Sequence, residues 1–167
     1  MLLGPPGSGK STVGRLLAPH GIRWREWELE IVERWGSRQA FVAAKHTAVP
    51  ELHRLIHDWL DEPGGPAAIE STGLSDAPLL DALDEEGRSL VIRLDASKDV
   101  AAARVATRAK GAHLTDDTAD NDRVWDEFDR HVAPHRRTHA TIDTSLHVPS
   151  EVASRVLALW RRATAQA

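Results

Sequence analysis

With 167 residues, 41% of them hydrophobic and 28% charged, the chain has the size and composition of one soluble domain, 1–167, with a core of its own. Its 21 basic and 25 acidic side chains leave a net charge of −4, which argues against nucleic acid or an anionic membrane as partner. The absence of cysteine excludes disulfides, thiol nucleophiles and thiolate metal sites. Without a membrane-length apolar run or a charged-then-apolar leader, the expected location is the cytoplasm.

The chain opens on a short apolar strand, Met1-Leu2-Leu3, followed by Gly4-Pro5-Pro6-Gly7-Ser8-Gly9-Lys10-Ser11, which fits the phosphate-loop pattern G-x-x-x-x-G-K-[ST]. Such a loop turns its backbone N–H groups inward as a nest for phosphate oxygens, and the dipole of the next helix adds to it. Lys10 is expected to reach the β- and γ-phosphates and the Ser11 hydroxyl to ligate Mg²⁺, with residues Gly4 to Ser11 and Thr12 forming the nucleotide site. Ser11 and Thr12 open a helix carrying Val13, Leu16 and Leu17, which Gly21 closes.

Ile22-Arg23-Trp24 reads as the next strand, with Glu26 and Glu28 just past its end; both carboxylates share one face only if the chain stays extended through Glu28. A helix around Ile31 and Trp35 stops at Gly36, a second runs from about Arg38 to Lys45, and Pro50 suits the first turn of a third with the stripe Leu52, Leu55, Ile56, Trp59 and Leu60. Beyond Pro63-Gly64-Gly65, a strand over 66–69 leads into Glu70-Ser71-Thr72-Gly73. Ser75 is placed to cap the helix of Leu79, Leu80 and Leu83, which ends at Gly87.

Leu90 to Leu94 forms a strand ending at Asp95, and Ser97 caps a helix through Val105 that bears Arg104 and Arg108. The polar segment 111–122 reads as a surface loop, and about 108–122 as a lid. A stripe of Val124, Trp125, Phe128 and Val132 runs up to Pro134, the last strand spans Ala140 to Thr144, and Val152, Val156, Leu159 and Trp160 mark the closing helix.

Strands alternating with helices predict an α/β, three-layer P-loop NTPase fold, with a five-stranded parallel sheet covered on both faces. Ligands bind beyond the carboxyl ends of such strands, where the phosphate loop, Glu26 with Glu28, Glu70 with Thr72, Asp95, and Asp143 with Thr144 all fall. Glu70 is placed for Mg²⁺ and Thr72 for substrate or water; Arg38 and Arg54 are candidates to grip an anionic acceptor. Arg104 and Arg108, four apart, are expected on one helix face, which suits a shared anion. Histidines spaced by four, His53 with His57 and His131 with His135 and His139, do not match H-E-x-x-H and read as surface side chains. Trp24 and Trp27 are the tryptophans placed to line a substrate pocket.

Trp24-Arg25-Glu26-Trp27-Glu28-Leu29-Glu30-Ile31 followed by Gly36, together with the P-loop, resembles the shikimate-kinase and nucleotide-kinase branch of the P-loop kinases. The resemblance implies that Glu26 holds a magnesium-bound water and Glu28 accepts the proton of the acceptor hydroxyl. Arg104-Val105-Ala106-Thr107-Arg108 is similar to the arginine pair opening that superfamily's lid, where one arginine stacks on adenine and another reaches the transferring phosphates. Ala140-Thr141-Ile142-Asp143-Thr144 is similar to its last strand and adenine-side loop. The places used on shikimate read Glu51-Leu52-His53-Arg54-Leu55 and Glu70-Ser71-Thr72-Gly73 instead. The implied activity is Mg²⁺-dependent transfer from ATP to a hydroxyl of a small metabolite other than shikimate, by a monomer or weak dimer. Two alternatives stand beside it: a nucleoside monophosphate kinase using Arg34, Arg38 and Arg54, and a regulatory ATPase without a small acceptor. A guanine switch would need N-K-x-D, which Ser97-Lys98-Asp99-Val100 does not fit.

Overall fold

The computed structural model describes residues 1–74, 76–87, 89–108 and 118–165. Ser75 as a cap and most of the expected lid therefore lie outside the described residues.

Strand β1 (Leu2–Leu3) is the axis of the molecule. It pairs in parallel with β4 (Glu70–Ser71) on one side and β5 (Ile92–Asp95) on the other, and β6 (Ala140–Asp143) continues beyond β5. Although only two residues long, β1 serves both faces, because successive strand side chains point to opposite sides. Leu2 packs with Val13 and Leu17 of helix α1 (Lys10–Leu17) and with Val152 and Val156 of α8 (Pro149–Thr164). Leu3 packs on the other face with Leu80 of α5 (Ala77–Glu85) and with Phe128 of α7 (Thr118–His131). Both leucines are buried, at 1% and 0% exposure, so either truncation to alanine costs about 2–5 kcal/mol.

The main sheet has four strands, in the order β4-β1-β5-β6, not the expected five. All five segments expected to be extended do contain strand, but segment 66–71 is shared between two sheets. Its first part, β3 (Ala67–Ala68), pairs with β2 (Arg23–Trp24) as a separate two-stranded parallel sheet. Its second part turns to β1, starting with the Ile69 carbonyl, which accepts from Leu2 N at 2.8 Å. The division follows from geometry: a strand directs successive peptide groups alternately to its two neighbours.

Helices α2 (Trp27–Trp35), α3 (Arg38–Ala43) and α4 (Lys45–Asp61) enclose a further core of Trp27, Ile31, Phe41, Leu52, Ile56 and Trp59. Helix α4 begins earlier than Pro50 indicates, leaving that proline inside it. Thr47 N and Ala48 N both donate to the Ala44 carbonyl, and Ala48 is fully buried, so the earlier turn is bonded and packed despite the N–H that proline lacks. Ser37 caps α3 by accepting from Ala40 N at 3.1 Å, and Ser97 caps α6 (Lys98–Ala106) by accepting from Val100 N at 3.3 Å. Residues 118–122, expected in a loop, belong to α7, where Asp120 in the first turn suits the helix dipole and pairs with Arg123 at 2.9 Å. Among the described residues no helix is long and apolar enough to cross a membrane.

Candidate active site

The phosphate loop runs from the end of β1 into α1, beyond the carboxyl ends of the main-sheet strands. Gly7 has φ 78, and a Cβ there would lie 2.4 Å from the Ala101 carbonyl oxygen of α6. The loop is thus pressed against α6, and a left-handed turn without a side chain is required at this point. Trp125 of α7 buttresses it by donating its indole N–H to the Pro6 carbonyl at 3.0 Å. Ser8 is fully buried, and its hydroxyl has no partner among the described residues. Lys10 is buried, with Nζ donating to the carbonyls of Gly4 at 2.7 Å and Pro5 at 2.9 Å. Burial holds this ammonium below the ordinary lysine range, against the raising influence of Glu70 and Glu28. A buried orphan hydroxyl and a lysine folded back onto its own loop are what a phosphate cradle offers an anion.

Arg104 braces this loop. Its guanidinium donates to the Gly7 carbonyl at 3.2 Å, to Thr144 Oγ1 at 2.9 Å and to the Thr144 carbonyl at 2.8 Å. The Thr144 hydroxyl in turn lies 3.0 Å from the Ser8 carbonyl and 2.9 Å from that of Asp95. These two residues, expected on the adenine side, tie α6, the phosphate loop, β5 and β6 together. Arg108 does not share a helix face with Arg104, because α6 ends at Ala106 and Thr107 takes the C-cap. Its charge still acts on Lys10, lowering the lysine further.

The two glutamates are divided. The chain does not stay extended through Glu28: α2 starts at Trp27, with Glu26 as its N-cap at φ −89 and ψ 94. The Glu26 carboxylate is held by the guanidinium of Arg15 from α1, through Nε on Oε1 and Nη2 on Oε2. Glu28, in the first helical turn, lines a cavity of about 120 Å³ shared with Lys10, Glu70, Thr72, His53 and Asp76. Trp27, Ile31, Phe41, Leu52 and Ile56 form its apolar walls. Glu70 accepts from Ser11 Oγ at 2.8 Å, and burial followed by the neighbouring Glu28 pushes its carboxyl up to about 7, against Lys10 and the Ser11 hydrogen bond. Asp76 is raised as well, chiefly by burial, although it accepts from the Ser71 hydroxyl and the Gly73 N–H.

Other expected residues lie elsewhere. Arg54 is exposed on α4 and pairs with Asp58 at 2.8 Å, while its neighbours Leu52, His53 and Ile56 face the cavity. Arg34 pairs with Glu51 at 3.0 Å. The backbone of Arg38 starts α3, but its side chain is outside what is described. Trp24 packs over α1, whereas Trp27 does line the cavity. Arg15 and Trp125 carry no local sequence signal for the roles they take, since each acts through a partner elsewhere in the chain; Asp76 bonds nearby Ser71 but matches no motif. A larger cavity of about 480 Å³ opens at the amino ends of the strands, around Met1, Ile22, Leu90 and Trp160, away from the phosphate loop. Among the described residues no group of three or more His, Asp or Glu is arranged to hold a metal ion.

A family model described as AAA domain matches residues 1–126. No curated protein sequence matches the chain. Among solved structures, the shikimate kinase of Acinetobacter baumannii, in complex with shikimate, superposes with a TM-score of 0.71 at 21% identity, covering 96% of this chain and 91% of that one. The shikimate kinase of Aquifex aeolicus gives 0.64 at 18% identity, covering 96% and 94%. The protein TT1252 of Thermus thermophilus gives 0.55 at 15%, covering 96% and 95%. At these identities the likeness establishes a shared fold, that of a P-loop kinase.

Proposed function

The chain belongs to the AAA-domain family, and from that premise we propose that it is a single-domain phosphotransferase moving the γ-phosphoryl of ATP, with Mg²⁺, to a hydroxyl of a small molecule in the cytoplasm. The observation that carries this reading is that Lys10 of the phosphate loop, Glu28 and Glu70 open onto one small, largely apolar cavity. A phosphate cradle and a carboxylate poised for a hydroxyl proton are thereby brought to one acceptor-sized space.

The cradle's inward backbone and the orphan Ser8 hydroxyl fit a polyphosphate, and Ser11 with Glu70 beside it fits Mg²⁺, which when bound supplies charge neutralisation at the phosphates. Lys10 exchanges the carbonyls of Gly4 and Pro5 for phosphate oxygens. Glu28 takes the proton as the acceptor oxygen forms its bond to the γ-phosphorus and the bond to the ADP oxygen breaks. Arg108, just past the end of α6, supplies a positive charge for the transferring group. Glu26, tied to Arg15, acts at a distance through the charge it lends the site. Of the three arginines a monophosphate acceptor would draw on, Arg34 and Arg54 are engaged in exposed ion pairs, and the side chain of Arg38 lies outside what is described.

The test is ADP release from Mg²⁺-ATP across a panel of hydroxyl compounds. At least one acceptor raises turnover, and Lys10→Ala or Glu28→Gln lowers that stimulated rate by about 100-fold or more. Turnover that no acceptor changes, and that survives in Glu28→Gln, contradicts the reading in favour of a plain ATPase.

A further inference from the structure

The polar lining of the acceptor cavity is acidic. Glu28 enters from α2, Glu70 from β4 and Asp76 from the start of α5, with His53 of α4 beside Asp76. Among the described residues the lining basic groups are Lys10, which the phosphate loop requires, and His53, whose charge acts to lower Asp76. The arginines that α2 and α4 could have turned inward point away: Arg34 to Glu51 and Arg54 to Asp58. Arg25 pairs with Glu30, its guanidinium lying 5.1 Å from the centroid of the Trp27 ring. An independent feature points to a ligand in the same space. Trp27 is 4% exposed, lines the cavity, and its indole N–H has no partner among the described residues. A buried donor left open in this way calls for an oxygen acceptor.

Building on the kinase reading, we propose that the acceptor is a small alcohol carrying a protonated amine, its ammonium on Asp76 and its hydroxyl at Glu28. The Ser71 hydroxyl, which itself accepts from Gly73 N at 2.6 Å, holds the Asp76 carboxylate in place, leaving it acceptor capacity for a cation. The hydrocarbon portion lies against Trp27 and Phe41, whose ring faces suit an ammonium as well as methylenes. The cavity is small, about 120 Å³, which limits the acceptor to a compact amino alcohol. A carboxylate or phosphate at the same end would meet the Asp76 carboxylate, which disfavours acceptors of that kind.

The test compares 4-amino-1-butanol, 1-pentanol and 4-hydroxybutanoate, assayed with Mg²⁺-ATP for phosphoryl transfer and separately for binding by calorimetry. The expected result is a kcat/KM for the amine at least tenfold above the neutral alcohol and further above the carboxylate. Asp76→Asn removes the amine's advantage, with ATP affinity as the control for folding. Trp27→Phe, which keeps the ring and loses the N–H, weakens the amine and the neutral alcohol alike. Preference for the carboxylate or the neutral alcohol, or equal use of all three, overturns the proposal and leaves the kinase reading standing. Amine binding that depends on Asp76 without transfer to any member supports the cation site and overturns the kinase reading. Absence of both binding and transfer across the series overturns both.

Discussion

The Glu70 carboxyl in the site is strongly perturbed, its pKa raised from 4.5 to about 7. An acid held so high keeps a proton in the folded state that the unfolded chain has already released, so its contribution falls as pH rises from about 4.5 to about 7. Fully developed, the penalty is at most about 3 kcal/mol. Glu70→Gln is therefore expected to raise the melting temperature relative to wild type at pH 8, with the gain vanishing towards pH 4.5; a gain independent of pH would contradict the assignment. Arg104 tests a different link. Arg104→Ala frees the Gly7 carbonyl and Thr144 together, and should weaken ATP binding roughly tenfold or more in calorimetry, since the cradle loses its brace. Lys10 and Ser11 were legible from local spacing alone, because a phosphate loop is a contiguous device. Asp76 and the Arg15 hold on Glu26 were not: Asp76 matches no motif, and the Arg15 pairing depends on how α1 and α2 are set against one another.

At the scale of elements, the contact of α1 with β2 is the tightest joint beside the site. A Cβ on Gly14 would lie 2.3 Å from the Trp24 ring, so the helix and strand can approach only with glycine at that position. Gly14→Ala is expected to destabilise the fold by about 1–3 kcal/mol through overpacking, and Trp24→Leu in the same chain should recover part of the loss in chemical denaturation. Additive losses in the double variant would contradict the direct contact. Periodicity placed most helix cores, since Leu52, Ile56 and Trp59 or Leu79, Leu80 and Leu83 mark their buried faces without help from the rest of the chain, but it named neither Phe41 of α3 nor Trp27 of α2. It misplaced the starts of α2, α4 and α7, where Glu26, Pro50 and Asp120 carry propensities that packing of Trp27 and Ala48 and the Asp120–Arg123 pair override. The division of segment 66–71 between two sheets was equally hidden, since alternation along a strand does not say which neighbour each peptide group faces.

Across the whole molecule, the phosphate loop is held by β1, α6, α7 and the β6 exit at once, so nucleotide occupancy couples to global stability. Mg²⁺-ATP at about 100 times its Kd should stabilise the fold by about 2.7 kcal/mol and raise the melting temperature by several degrees; Lys10→Ala should abolish most of that shift. An unchanged melting temperature in saturating Mg²⁺-ATP would contradict the cradle. The central claim, transfer to a hydroxyl and not to water, is tested most directly by the fate of the γ-phosphoryl in γ-labelled ATP. Incubated with the acceptor panel, wild-type protein should move the label into a stable phosphate ester, with little orthophosphate and a rate that Glu28→Gln cuts by about 100-fold or more. Label recovered only as orthophosphate, at the same rate with and without every acceptor, would contradict the phosphotransferase account and leave an ATPase.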